Sequence, residues 1–457
     1  MDSFNRRRFL RAAAAGGLAY AFGRTPQAVH AEMLADAATF GDYRALVCIF
    51  LFGGNDSFNM VVPRSSAEYN AYATSRQNLA LAQGDLIPIA PLSSDGAQYG
   101  FHPSMTGLAQ LFEQGQCAVV ANVGPLIAPT SKTQYLDKSV SLPPQLFSHN
   151  DQQDQWQSLK GRNLLKSGWA GRISDVLAGQ TSNQLLALNA SLAGQSLLQS
   201  GNVTTPYIMG SSGPVNFTGF GATGATLARR QAFENISRAD YGTMYERGFA
   251  QVHQRAVQFS DRVTQALAQA PALVALPNAP TPALTSLATQ LRTVAKLIAV
   301  RDQLQMSRQI FFVSTGGFDT HDDQLDDQPG LLTNISNSMR AFYDATVELG
   351  VADRVTTFTQ SDFGRTLTSN GDGTDHAWGG IQLVAGGAVK GRSIYGTYPR
   401  LEINGPDDVG GGRMIPTTSA DQYIATLATW FGLPDADLSK VAPSIANFAQ
   451  KDLGFIA

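Results

Sequence analysis

Residues 46–57 read LVCIFLFGGNDS, an unbroken apolar run that ends in a pair of glycines and a polar turn. Apolar runs without polar alternation are typical of strands that are buried on both faces, as in a parallel sheet. Five further runs are short, rich in apolar residues such as Val, Ile and Phe, and without alternation. Together the six runs predict strands over Ala45–Phe52, Ala118–Val123, Gln184–Asn189, Gln309–Ser314, Val355–Gln360 and Gln382–Ala385.

Helical segments lie between these strands. Apolar residues recur at helical spacing in Ser104–Gly115, Asn334–Leu349 and Asp421–Phe431. Because strands and helices alternate along the chain, we expect an α/β fold with a mostly parallel central sheet and helices on both faces.

The middle of the chain has a different composition. Residues 190–224 are rich in Gly, Ser, Thr and Asn, and the stretch from Thr226 to Ala268 contains good helix formers and no proline. A proline-rich connection follows, and Ala283–Ser307 is helical again. We therefore predict one domain over residues 32–457, with an insertion at about 190–305 that packs over the sheet.

The N-terminus carries the features of an export signal. Residues 5–11, NRRRFLR, contain the consecutive arginines, aromatic residue and leucine of a twin-arginine signal. The apolar stretch Ala12–Phe22 is too short to anchor the chain across a bilayer, and small residues near Ala31 suit cleavage. Residues 1–31 are thus predicted to be a twin-arginine signal peptide, with a periplasmic or secreted mature protein and no transmembrane segment. The alternative is a basic N-terminus without an export role.

The charge balance bears on the partners. The chain has a formal net charge of −3, and residues 1–31 contribute five Arg and one Asp, so the remainder carries about −7. This balance disfavours nucleic acid and an anionic membrane surface as partners.

The two cysteines, Cys48 and Cys117, lie in apolar strand-like runs. They are interpreted as small buried side chains, and a disulfide between neighbouring strands stays open as an alternative.

Polar motifs follow the predicted strands. Asp56 comes after the first strand, where its carboxylate can bind a ligand or stabilise the turn. Asp319 and His321 follow the strand at Gln309. Two such residues two positions apart in an extended loop can bind one metal ion, or the carboxylate can orient the imidazole. Because ligands bind at the carboxyl ends of strands in α/β sheets, we expect these side chains to lie close together.

A second group of motif residues follows the strand at Val355. Asp362 comes directly after that strand, and Arg365 can hold an anionic group through paired hydrogen bonds or form a salt bridge to a nearby acid. His376 ends a glycine-rich loop that also contains Asp375. These residue types add a further carboxylate and imidazole to the candidate site.

Ser148 and His149 follow a pair of prolines. Adjacent side chains rarely face each other, so the dipeptide alone does not define a nucleophile and its base. The spacing of Ser148 and Asp151 predicts a helix N-cap at Ser148. A helix N-terminus also favours a nucleophile and a bound phosphate, so both roles stay open for Ser148.

At these motifs the chain resembles an exported bacterial family, domain of unknown function 1501, which belongs to the alkaline phosphatase-like superfamily with the sulfatases and phosphopentomutases. The resemblance is carried by FGGND (residues 52–56), SH (148–149), GFDTH (317–321), SDFGRT (361–366) and GTDH (373–376). It extends over almost the whole chain after the signal segment and implies an alkaline phosphatase-like fold.

The resemblance also implies site residues. It places Ser148 near the position of the nucleophile and assigns ligands of a divalent metal, which would be zinc, calcium, magnesium or manganese, to Asp56, Asp319, His321, Asp362 and His376. Phe363 stands where the superfamily motif has a metal-binding His, which leaves one metal, altered ligation or lost catalysis open.

We therefore expect an exported metal-dependent hydrolase of phosphate or sulfate esters, acting on a small-molecule or polymer substrate, in which Arg365 binds the non-bridging oxygens. The alternative is a non-catalytic exported binding or assembly protein on the same fold with a protein partner, and Phe363 favours it.

Overall fold

A computed structural model shows how the predicted strands assemble. The structure describes residues 40–457 with the exception of 94, 182, 216–218, 279 and 281. The predicted signal peptide, residues 1–31, lies outside the described residues.

The strands are β1 (Arg44–Leu51), β2 (Val61–Pro63), β3 (Ile87–Ile89), β4 (Tyr99–Phe101), β5 (Cys117–Gly124), β6 (Asn189–Ser191), β7 (Tyr207–Ile208), β8 (Arg308–Thr315), β9 (Val355–Ser361), β10 (Arg365–Ser369), β11 (Thr374–His376), β12 (Gly380–Gly386), β13 (Ile394–Tyr395) and β14 (Thr418–Ser419). The helices are α1 (Ser66–Arg76), α2 (Thr106–Glu113), α3 (Lys132–Leu136), α4 (His149–Ser158), α5 (Trp169–Leu177), α6 (Gly224–Ser237), α7 (Met244–Leu267), α8 (Ser286–Ala299), α9 (Gln324–Glu348), α10 (Ala420–Phe431) and α11 (Leu438–Val441).

The central sheet has the strand order β13-β5-β12-β9-β1-β8-β6-β7, and β14 also pairs with β5. Strand β1 lies between β8 and β9 and is parallel to both. Strand β12 is antiparallel to its two neighbours, β9 and β5. It can reverse because residues 362–379, which connect β9 to β12, form the hairpin β10–β11 and no crossover helix. The predicted mostly parallel sheet is confirmed.

The two faces of this sheet pack against separate cores. Leu46, Cys48 and Phe50 of β1 pack in a core that includes residues of α5 and α10. Val47 and Ile49 point to the other face, into a core that includes residues of α8 and α9. Since successive side chains of a strand point to opposite faces, an apolar run without alternation fills both cores. The predicted helices on both faces are confirmed.

The two cysteines are free and buried. Cys48 lies in β1 and Cys117 in β5, and β9 and β12 separate these strands in the sheet. Two intervening strands, each about 4.8 Å from the next, place the cysteines beyond the span of a disulfide. Burial raises the pKa of the Cys117 thiol to about 12. The interpretation as small buried side chains is confirmed, and the disulfide alternative is wrong.

The strand predicted over Gln184–Asn189 is misplaced, because the strand at this point is β6, Asn189–Ser191. The side chain of Gln184 accepts hydrogen bonds from the backbone N–H groups of Ser307 and Arg308. Leu186 and Leu188 of this segment are buried in the two cores although the segment is a loop, and the apolar pattern does not distinguish such a loop from a strand.

The segment at 190–305 contains several kinds of structure. Strand β7 pairs with β6 at the edge of the main sheet, and the apolar side of α8 is buried in the core. The long helical stretch expected after Thr226 is divided into α6 and α7. Among the helices that the structure describes, none is long and apolar enough to cross a membrane.

Candidate metal centre

The carboxyl ends of β8, β1 and β9 meet at one edge of the sheet because the three strands are parallel neighbours. Asp319 lies in the loop after β8, and Asp362 is the first residue after β9. The loop after β1 contacts both of these loops, since the N–H of Gly53 lies 3.3 Å from Asp362 Oδ2 and the carbonyl of Phe52 accepts from the N–H of Phe318 at 3.2 Å. The predicted grouping of strand ends at one edge is thus found here.

Gly53 allows these loops to approach closely. Its φ of +117° is rarely adopted by other residues, and a Cβ atom at this position would lie 2.4 Å from the backbone nitrogen of Asp319. Gly373 has a similar role, since a Cβ there would lie 2.2 Å from the carbonyl oxygen of His321. These two glycines place the backbone of the Asp319–His321 loop between its two neighbouring loops.

Three imidazoles surround the carboxylate of Asp319. Its Oδ1 atom lies 3.1 Å from His321 Nε2 and 3.3 Å from His376 Nε2, and its Oδ2 atom lies 3.4 Å from His149 Nε2. The Nε2 atoms of His321 and His376 are 2.9 Å apart. His149, Asp319 and His376 each offer a ligand atom within 4.8 Å of the other two. Asp319 is half-exposed, so the group opens to solvent.

The other ring nitrogen of each histidine faces an acceptor. His149 Nδ1 lies 2.7 Å from Asp362 Oδ2, His376 Nδ1 lies 2.8 Å from the carbonyl of Phe147, and His321 Nδ1 lies 3.3 Å from Asp375 Oδ1. An acceptor at Nδ1 places the ring proton there and leaves the lone pair on Nε2. The three Nε2 atoms therefore converge on one carboxylate, and those of His149 and His376 form with Asp319 a group that could hold a metal ion.

Burial and neighbouring groups shift the pKa values of Asp319, His376 and Asp362. Burial raises the pKa of Asp319, but the hydrogen bond and charge of Arg365 and the nearby imidazoles outweigh it, so the net pKa is lowered. Burial lowers the pKa of His376, which favours its neutral form. Burial raises the pKa of Asp362, and the hydrogen bonds from Gln153 and His149 only partly offset this. A carboxylate and a neutral imidazole are the protonation states that bind metal.

Arg365 lies behind Asp319 and is fully buried. Its Nη1 donates to Asp319 Oδ1 at 2.7 Å, while Nε and Nη2 donate to the hydroxyl and carbonyl oxygens of Thr374. Of the two roles that the sequence left open, the salt bridge to a nearby acid is the one that the structure contains. Binding of the non-bridging oxygens of an ester by Arg365 stays a prediction.

Asp56 lies apart from the three imidazoles. Its side chain is fully buried and forms an ion pair with Arg76, and the same oxygen, Oδ2, also accepts from Gln324. Its Oδ1 atom is buried without a hydrogen-bond partner among the described residues. The ligand role of Asp56 stays a prediction, and Oδ1 is the atom available for it.

Ser148 is the N-cap residue of α4, as the spacing to Asp151 predicts. Its side chain does not accept the expected hydrogen bond from the first turn of the helix. Instead, Oγ donates to Asp151 Oδ2 at 2.8 Å. Both sequence neighbours of Ser148 contact the histidine group. The carbonyl of Phe147 faces His376 Nδ1, and His149 faces the carboxylate of Asp319.

Phe363 forms an apolar wall of the group. It is buried, and its ring centroid lies 4.9 Å from that of His149 and 4.5 Å from that of His376. Phe363 therefore packs against two of the three imidazoles.

Sequence reasoning missed three members of the site: His149, Gln153 and Asp375. His149 and Gln153 are four residues apart on one side of α4, and both contact Asp362 Oδ2. The sequence offers one signal for His149. The chain has six histidines, and His149 is one of the three that lie in the polar motifs.

The fold and the site together define an α/β protein with a histidine–carboxylate centre at the carboxyl edge of its central sheet. The chain belongs to the DUF1501 family of proteins of unknown function, and the family model matches residues 43–409. The predicted family is confirmed. No curated protein matches the chain.

Two solved structures are similar to the chain over most of its length. The lipoteichoic acid synthase LtaP from Listeria monocytogenes is 9% identical, with a TM-score of 0.34, and the match covers 90% of this chain and 79% of that protein. The PsFucS1 sulfatase from Pseudoalteromonas sp. is 10% identical, also with a TM-score of 0.34, and the match covers 91% and 72%. At such low similarity, the site itself is the basis for assigning a function.

Proposed function

We propose that the protein is an exported hydrolase of phosphate or sulfate esters that depends on a divalent metal ion bound by His149, Asp319, His321 and His376. The observation that carries this proposal is the convergence of three imidazole Nε2 atoms on the Asp319 carboxylate, with an acceptor at each Nδ1. Two imidazole lone pairs 2.9 Å apart repel each other unless a cation or a proton lies between them.

The donor set fits a divalent ion. Three imidazoles and one carboxylate match the ligands of zinc and of other first-row metals, while the predominance of nitrogen disfavours calcium and magnesium. A bound ion of this kind supplies Lewis acidity to an ester oxygen. Asp362 and Asp375 act on the ring orientation of His149 and His321 from outside this group.

Ser148 is the nucleophile that we propose. Its hydroxyl donates to Asp151, whose carboxylate can accept the proton when Oγ attacks the phosphorus or sulfur atom. The bond from that atom to the ester's alcohol oxygen breaks, the alcohol leaves, and water then releases the phosphate or sulfate from Ser148. The position of Ser148 at the N-terminus of α4 favours the negative charge that develops there.

A second candidate function, a non-catalytic binding or assembly protein, is favoured by a specific observation. The guanidinium nitrogens of Arg365 donate to Asp319, Thr374 and Gly53, so this cation is already engaged within the protein. Phe363 adds an apolar surface where the superfamily motif has a ligand.

Elemental analysis of the purified protein, combined with aryl phosphate, phosphodiester and sulfate substrates, tests the proposal. We expect about one equivalent of metal per chain and turnover that stops in chelator. Ser148→Ala should abolish turnover and keep the metal. Bound metal without turnover on any substrate would favour the binding protein, and a chain without metal would contradict both the hydrolase and the site.

Export by the twin-arginine route is the remaining part of the proposal. It is supported by the arginine pattern at residues 5–11, and replacement of Arg6 and Arg7 by Lys should leave the precursor in the cytoplasm. Fractionation of cells that express each form measures this. Periplasmic accumulation of the double variant at the parent level would show that export does not depend on the paired arginines.

A further inference from the structure

A buried ion pair lies beneath the metal centre. Asp56 and Arg76 both have fully buried side chains, and Arg76 Nη1 also donates to the carbonyl of Thr366 at 2.9 Å. Removing two charges from water is costly. The attraction between them offsets this cost only when their geometry is good and further hydrogen bonds satisfy their remaining polar atoms. The pair therefore forms a rigid anchor below the loops of the site.

Gln324 connects this ion pair to β11. Its Nε2 donates to Asp56 Oδ2, and its Oε1 accepts from the hydroxyl of Thr374 at 2.7 Å. Both Gln324 and Thr374 are fully buried. The amide nitrogen of Gln324 faces an acceptor and its amide oxygen faces a donor. These two partners determine the orientation of the side chain.

Thr374 continues the connection to Arg365. Its hydroxyl donates to Gln324 and accepts from Arg365 Nε at 3.3 Å, and its carbonyl accepts from Arg365 Nη2. Arg365 Nη1 in turn donates to Asp319 Oδ1 at 2.7 Å. The hydrogen bonds therefore run without interruption from the Asp56–Arg76 pair to the carboxylate at the centre of the three imidazoles.

Asp319 needs such support because its own side chain is 46% exposed, so packing alone does not hold it in one rotamer. A long arginine side chain can orient a carboxylate only if its own guanidinium is held in place. Thr374 holds this guanidinium through two of its nitrogens, and Gln324 holds the hydroxyl of Thr374.

We propose that Thr374 and Gln324 are positioning residues, which act through Arg365 to hold the Asp319 carboxylate in the orientation that binds the metal ion. This inference rests on the proposed function, since it concerns the same metal centre. Partners that orient metal ligands from outside the ligand group typically change metal affinity by about 10- to 100-fold when they are mutated.

Thr374→Val, which removes the hydroxyl and keeps the shape, should weaken zinc binding by about 10- to 100-fold in isothermal titration calorimetry. It should also shift the visible absorption bands of the cobalt(II)-substituted protein, because the carboxylate changes its orientation. Thr374→Ser keeps the hydroxyl and should restore both properties. The matched control is Thr426→Val in α10, since the Thr426 hydroxyl is also buried, donates to the carbonyl of Gln422 and accepts from the N–H of Leu453.

We expect Thr426→Val to lose stability comparably while its zinc affinity and cobalt spectrum match those of the parent. Parent-like affinity and spectrum in Thr374→Val would overturn the positioning role and leave the proposed metal centre intact. An equal loss of affinity in Thr426→Val would overturn it as well, because a general loss of stability would then explain the effect. A parent protein that binds neither zinc nor cobalt would contradict the proposed function and this inference together.

Discussion

Replacing Arg76 by Met should lower the free energy of unfolding by about 3–5 kcal/mol, because the change leaves the Asp56 carboxylate buried without its charged partner. Both side chains of this pair are fully buried, and Gln324 alone cannot compensate for the lost positive charge. Denaturation in urea, followed by circular dichroism, measures the effect as a lower midpoint at an unchanged slope.

The matched control for Arg76 is an ion pair at the surface. Arg340 Nε and Asp344 Oδ2 lie 2.8 Å apart on α9, with both side chains partly exposed. Arg340→Met should cost only about 0.5 kcal/mol, as is usual for exposed pairs one helical turn apart. If the Arg76 and Arg340 variants lose equal stability, the buried pair is not the anchor that we infer.

Asp319→Asn should weaken zinc binding at least about 100-fold, which corresponds to about 2.7 kcal/mol of lost binding free energy. The change keeps the shape of the side chain and removes the negative charge on which the three imidazoles converge. The thermal stabilisation by zinc should be lost as well, because it depends on binding to the native state and amounts to about 2.7 kcal/mol at a hundredfold excess over Kd. Calorimetric titration and thermal melting with and without chelator measure both effects.

Asp322→Asn is the control for Asp319. Asp322 lies in the same loop and is exposed, so its replacement changes the net charge equally without touching the imidazoles. We expect its zinc affinity to stay within about threefold of the parent. Equal binding by Asp319→Asn and the parent would show that this carboxylate is not a ligand.

Much of the fold could be predicted because the strands have a strong signal. The runs that became β1, β5, β8 and β12 are largely apolar, and the run that became β9 is rich in β-branched threonine; both compositions suit strands that are buried between two helical layers. Parallel order then brings the ends of β8, β1 and β9 to one edge, so the proximity of Asp319 and Asp362 also followed from the sequence. The direction of β12 did not follow, since a strand of either direction has the same apolar pattern.

The sequence by itself determined the strands, the edge at which the polar motifs lie and the family of the chain. Only the tertiary structure decided which motif residues face one another. His149 enters the site from the start of α4, 170 residues before Asp319, and Asp56 is directed into a buried pair with Arg76. The physical reason is that backbone periodicity is local and can be read along the chain. The direction of a carboxylate or an imidazole depends on hydrogen-bond partners that are distant in sequence and that only the folded packing brings near.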